Sequence, residues 1–163
     1  MDAMQLIHNT VCGVIAGLGF GVFFNIRART LLWCSVLGGA GLAVRTVALQ
    51  NELRLEGASF LAAVVVGSAV QAIDVRTGTA KTPLAVAACI PMIPGALAAK
   101  AILGLIAATG ANFATAEAAF VSALQDGLRV ILTIGALGTG LAIPTLLRNS
   151  LHDSNAARRG TAG

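Results

Sequence analysis

Few residues in this chain have obvious chemical promise, and most of them sit together. In "ACIPMIPGALA", Pro91, Pro94 and Gly95 occupy the centre of an apolar run, Leu84 to Ala108, whose one charge is Lys100. Pro91 cannot donate to the carbonyl of Ala87, nor Pro94 to that of Ile90. Each ring also clashes with the preceding turn, at a cost of about 3 kcal/mol or more in a regular helix. Gly95 tolerates backbone angles closed to other residues. The expected result is two half-helices joined by a short unwound linker, with Pro94 opening the second half because proline favours the first helical position. Freed carbonyls, and the N–H groups of Gly95, Ala96 and Leu97, would then need protein or water as partners, since lipid offers none. A half-helix N-terminus inside a membrane is a backbone anion site, and transporters use such breaks to hold carboxylates. The plain alternative is a kink that bends the helix around its neighbours.

Other ionisable residues fall within apolar segments. Arg45 ends "GGAGLAVR", a small-residue face that points into a bundle, where a guanidinium could hold a carboxylate through a bidentate pair. Asp74, close to a helix end, reads as a snorkelling side chain. Asp126 and Arg129, three apart on one helix, most simply neutralise each other. Cys12, Cys34 and Cys89 form no CxxC pair, and His8 and His152 lie near opposite termini, so neither a disulfide nor a metal site has support. No phosphate-binding loop appears, and no nucleophile stands beside a base. The chain is therefore expected to have no catalytic residue, no metal and no cofactor, and not to be an enzyme.

The elements that must position these residues follow from composition. Of 163 residues, 56% are hydrophobic and 11% charged, whereas a soluble domain carries about 25% charge. An all-α integral membrane protein is the resulting fold class. The net charge of +4 comes from Lys and Arg at the ends of apolar segments rather than from a basic stripe, which points to a lipid bilayer and not to nucleic acid. Five spans are expected, at about 4–25, 30–49, 57–75, 83–108 and 118–147, the fourth broken at Pro91–Gly95. They form one transmembrane domain, 1–147, followed by a polar tail, 148–163. The N-terminus lacks the basic region of a secretory signal and reads as a first membrane helix. Gly13, Gly17 and Gly21, four apart, offer a close-packing face, as does "GALGTGL" from Gly135 to Leu141.

Five spans place the termini on opposite sides. Arg27, Arg29, Arg76, Lys81, Arg148, Arg158 and Arg159 then share one side, against Arg54, Lys100 and Arg129 on the other, with Arg45 unassigned. Excess Lys and Arg marks the cytoplasmic face, so the N-terminus is expected outside and the C-terminus in the cytoplasm.

Three stretches carry a resemblance: "GFGVFFNIRARTLLWCSVLGGAGLAVR", "AACIPMIPGALAAKAI" and "GALGTGLAIP". Together they resemble the ThrE-type threonine/serine exporter family, closest to its small membrane-only members, from about Gly13 to Pro144. The resemblance implies a secondary transporter that exports small amino acids (threonine, serine) or small carboxylates such as succinate. It implies a larger partner subunit with a soluble N-terminal domain and about five spans, this chain being the other half of an inverted repeat in the cell inner membrane. It adds Asn25, of the Phe24–Asn25 pair, to a candidate substrate-binding set of Pro91, Pro94, Gly95, Ala96, Arg45 and Lys100. Some relatives carry a tyrosine after the Pro-Gly where this chain has Ala99 and Lys100, a departure that favours a more acidic substrate. Two rivals remain: a non-transport scaffold that stabilises a partner, and a pore-forming channel. Homo-oligomers are compatible with each.

Overall fold

A computed structural model describes residues 3–77, 81–110 and 113–160, all of them helical or in short turns between helices. Six α-helices follow in order: α1 (Ala3–Phe23), α2 (Ala28–Gln50), α3 (Leu55–Thr77), α4 (Lys81–Cys89), α5 (Gly95–Gly110) and α6 (Phe113–Gly160). Four helices are each long and apolar enough to cross a membrane. The α4–α5 pair passes the same test as one unit bent by 56°, which gives up to five spans. The tail expected from residue 148 starts as a continuation of α6, which runs on to Gly160.

The turns that join the first three helices have a common design. After α1, Asn25 N–H bonds the Val22 carbonyl at 2.9 Å and Ile26 N–H bonds that of Gly21 at 3.0 Å. After α2, Glu52 N–H bonds Leu49 at 3.1 Å and Leu53 N–H bonds Ala48 at 3.2 Å. These are the paired bonds of a Schellman cap, which needs one left-handed residue just past the helix. Asn25 (φ 53°) and Glu52 (φ 62°) take that conformation. Asparagine accepts it readily and glutamate does not.

Lipid tails are as apolar as leucine, so helices here gain little by hiding leucines from them and associate through close contact instead. The glycine face of α1 does this. A Cβ on Gly13 would lie 2.6 Å from the Gly38 carbonyl oxygen, and one on Gly17 would lie 2.5 Å from that of Cys34, so the α1 and α2 backbones touch. Across the same seam Asn9 Nδ2 donates to Thr46 Oγ1 at 3.0 Å. α2 also packs on α3 and α4, and α3 on α4 and α6, while α5 packs on α6 and makes no other substantial helix contact among the described residues.

In "GALGTGL" only part of the expected packing is present. Gly140 sits where a Cβ would meet the Phe60 carbonyl at 2.8 Å, but Gly135 and Gly138 face open space. Buried Cys34 and Cys89 pack as small apolar groups, whereas Cys12 is exposed. Asp126 and Arg129 do not pair: neither side chain makes a hydrogen bond or ion pair among the described residues. The side chain of Asp74 lies outside the described residues.

Candidate functional site

The proline break is a real interruption, and each proline has a separate task. Pro91 sits in the first turn of a 3-10 segment, Ile90–Met92, where its missing N–H leaves no bond unmade. Pro94 acts on the residue before it. Ile93 is extended at φ −65°, ψ 129°, as expected for a residue whose αR conformation clashes with the following proline ring. The helix resumes with the bond from Ala98 N–H to the Pro94 carbonyl at 3.1 Å. Pro94 is therefore the residue just before α5 rather than its first.

Local bonds absorb part of what the break releases. Ile93 N–H bonds the Ile90 carbonyl at 3.0 Å, and Gly95 N–H bonds the Ile93 carbonyl at 2.8 Å. The Met92 carbonyl goes elsewhere: Arg45 Nη1 of α2 donates to it. The Met92 side chain, fully buried, presses into a notch at Gly41, where an added Cβ would collide with Met92 Cε and lie 3.0 Å from Val66 Cγ2. Gly41 and Arg45 are four residues apart, on one face of α2. One face of α2 thus grips both the side chain and the carbonyl of the residue at the break.

Arg45 is only partly satisfied by this contact. Its Nε is buried and has no hydrogen-bond partner. No carboxylate of the described residues pairs with it. A guanidinium that lends Nη1 to a fixed carbonyl keeps its Nε side for an acceptor, and a carboxylate is the acceptor whose geometry matches it.

The other expected residues divide. Gly95 and Ala96 are exposed at the start of α5, with no atom within 4 Å of where a Gly95 Cβ would stand. Lys100 is exposed one turn further on. Asn25 is not brought to the break. It caps α1 at the far end of α2, about 26 Å from Arg45 by the 1.5 Å rise per residue, and the cap accounts for its identity. Gly41 and Met92 were missed as site residues. The signal was in "GGAGLAVR", where a glycine stands one turn before the lone arginine, but its partner lies 51 residues away along the chain.

A second polar cluster, also missed, joins α3 to α6. Gln71 Nε2 donates to Thr145 Oγ1 at 2.7 Å, and Arg148 Nη1 donates to Gln71 Oε1 at 2.9 Å.

The family model for Threonine/Serine exporter, ThrE, matches residues 9–147, which includes the break, Arg45, Gln71 and Thr145 and ends one residue before Arg148. The chain belongs to this family. The family is one of exporters, and the apolar helices make the chain a multi-pass membrane protein. A Haemophilus influenzae protein described only as uncharacterized is 29% identical over 144 residues, which is 88% of this chain and 48% of that protein. The chain thus spans about half the length of this curated relative. No solved structure matches the chain.

Proposed function

We propose that the chain is the small, membrane-embedded half of a secondary exporter that moves small amino acids such as threonine and serine, or small carboxylates such as succinate. In this reading it lies in the cytoplasmic membrane with its N-terminus outside and its C-terminus in the cytoplasm. A larger five-span subunit with a soluble N-terminal domain supplies the other half, in inverted orientation. Membership in the exporter family supports the transport class. The Arg and Lys distribution supports the orientation.

The single observation that carries the reading is Arg45 at the break. A half-buried arginine with a buried, unpartnered Nε and no carboxylate partner among the described residues is costly inside a membrane and supports a substrate path. The substrate's carboxylate is the counter-charge, held against Nε while the Met92 carbonyl holds Nη1. Pro91 and Pro94 create that carbonyl, Gly95 and Ala96 keep the opening clear, and Lys100 adds positive charge on the α5 side. Nothing in this set binds a substrate side chain selectively, so the second half would choose among substrates.

The test is export of labelled threonine, serine and succinate from cells that express this chain, its larger partner, or both. Export from the pair alone supports the split transporter, and export from this chain alone ends the half-transporter reading. Within the pair, Arg45→Lys separates two roles. Lysine can still donate to the Met92 carbonyl but cannot form the bidentate carboxylate pair. A loss of at least tenfold in export with an unchanged amount of folded protein supports the substrate role, and full retention reduces Arg45 to a structural clamp.

A further inference from the structure

We propose that the projecting end of the α5–α6 hairpin is an interface between two copies of this chain, whose hairpins join as an antiparallel four-helix bundle clear of the membrane. This proposal stands apart from the transport reading and uses none of the residues at the break.

Helix register sets the height of the hairpin. The start of α1, the end of α2 and the start of α3 are level, since Asn9 bonds Thr46 near both helix ends and a short turn joins α2 to α3. α6 runs parallel to α3, with Gly140 against Phe60 and Ala63 and Thr145 against Gln71. α3 begins at Leu55, so its first residue is level with about residue 135 of α6. The part of α6 before that point stands beyond the three-helix bundle for about 30 Å. Only α5 accompanies it there. A Cβ on Gly104 would lie 2.8 Å from Ala123 Cβ, and one on Gly127 would lie 3.9 Å from Ala101 Cβ. With 21, 23 and 23 residues, α1, α2 and α3 already cross the roughly 30 Å of hydrocarbon. The hairpin therefore rises out of the lipid on the side where α1 begins.

The hairpin has two unlike faces. Val121, Leu124, Leu128 and Ile131 of α6 follow at spacings of three, four and three, and all are exposed. That spacing is what one helix offers another. Ser122, Asp126 and Arg129 form a polar stripe about half a turn away. Ile102 and Leu105 of α5 are exposed too. A groove lined by Leu105 and Phe120 joins the two helices on this apolar side, with Thr109 and Glu117 toward its tip. A helix with one polar and one apolar side, standing beyond the lipid, needs protein over its apolar side.

Geometry makes that protein a second copy. A two-fold axis along the membrane normal brings the same face to the same height. Each α6 then faces the α5 of the other chain, so all neighbours are antiparallel, as in a four-helix bundle. A companion half of inverted orientation would raise its counterpart hairpin from the opposite surface. The apolar side chains and the groove between them offer about 700 Å² per copy, close to the roughly 800 Å² that each side of a stable interface buries. The seam stops at the lipid, because the next positions of the repeat are Gly135 and Gly138, which meet nothing within 4 Å.

The experiment has two arms. In the first, the full chain is purified in detergent and its mass is followed by light scattering as it is diluted. A dimer is expected, and Ile102→Glu with Leu124→Glu should weaken it at least tenfold. Both residues are exposed within one chain, so the helical content of the double variant should not change. In the second arm, two differently tagged chains are expressed together in membranes, one with Ile102→Cys and the other with Leu124→Cys. These positions are at one height, between the Gly104–Ala123 and Ala101–Gly127 contacts. Mild oxidation should link the two tags, while either variant alone links no more than the unaltered chain. A monomeric unaltered chain overturns the proposal. So does an undiminished dimer in the double glutamate variant, or the absence of linked tags in membranes.

Discussion

The α1–α2–α3 bundle and the α5–α6 hairpin are built from the same alphabet of Ala, Gly, Leu, Ile and Val, yet they are packed differently. Half of the apolar windows of α2 and α3 is buried within the chain, against 17% of those of α6 and of α1, which is close-packed along its glycine face alone. Glycines on the α1–α2 seam have backbone atoms where a side chain would go, whereas Gly95, Gly135 and Gly138 on the other side meet nothing within 4 Å. Ile102, Leu103, Ile106, Leu128, Ile131 and Leu132 are exposed. The apolar stretch of α6, Ala116–Arg148, has 33 residues and so extends about 50 Å, well beyond the roughly 30 Å of hydrocarbon. Rigidity is concentrated where Arg45 is held. Arg45 sits on the close-packed part, and the break lets the α5 half leave that part at an angle. The fixed wall holds the guanidinium, and the open one offers the surface that other molecules can reach.

The largest expected effect lies at the α1–α2 seam. Gly17→Leu must push the α1 backbone off the Cys34 carbonyl, and overpacking of this kind costs about 3 kcal/mol. It should unfold in micelles at far lower denaturant than the unaltered chain. Gly41→Leu should come close to it, because the new side chain needs the space that Met92 Cε fills. If either is as stable as the unaltered chain, α2 is not the close-packed wall described here.

Pro91→Ala with Pro94→Ala tests the other region. Removing both rings lets α4 and α5 form one helix, so export should fall at least tenfold while the unfolding midpoint stays the same or rises. Intact export in that double variant would leave the break as a bend and favour the scaffold reading.

Smaller effects come from the caps. Asn25→Ala should lose about 1–2 kcal/mol, since alanine resists the left-handed conformation, and Glu52→Gly should gain about 1 kcal/mol for the converse reason. Thermal unfolding of the purified chain reads both. A cost at Asn25 with export unimpaired in the surviving protein would confine that residue to capping. Smallest of all, Gly135→Ala and Gly138→Ala should each stabilise the isolated chain by about 0.5–1 kcal/mol, because they add helix preference without a clash. A loss there instead would mean that the open face of α6 is closed by packing.

Much of this was legible in the residues. Pro-x-x-Pro-Gly in an apolar run dictates an interruption whatever surrounds it, because a missing N–H and a ring clash are local facts. The glycines spaced by four on α1 announced a close-packed face, and α2 supplied Gly38 to meet them. At Asn25 the tertiary structure adds what the residue type alone does not show. The resemblance placed it in the candidate substrate set, and the structure adds a second role, since its φ of 53° makes it the left-handed residue that ends α1. Asp126 and Arg129 mark a limit, since correct spacing on a helix does not make two side chains meet.

Composition and the local stereochemistry of proline and glycine were enough for the membrane class of the molecule and for the break, and the resemblance of three stretches was enough for the family. Tertiary structure alone decided that Met92 is the residue gripped at the break, that Arg45 grips it, and that Gln71 meets Thr145 and Arg148. Those contacts join residues 47, 74 and 77 apart. A helix presents its side chains in every direction, and only the crossing of two helices selects which of them come within a hydrogen bond's length.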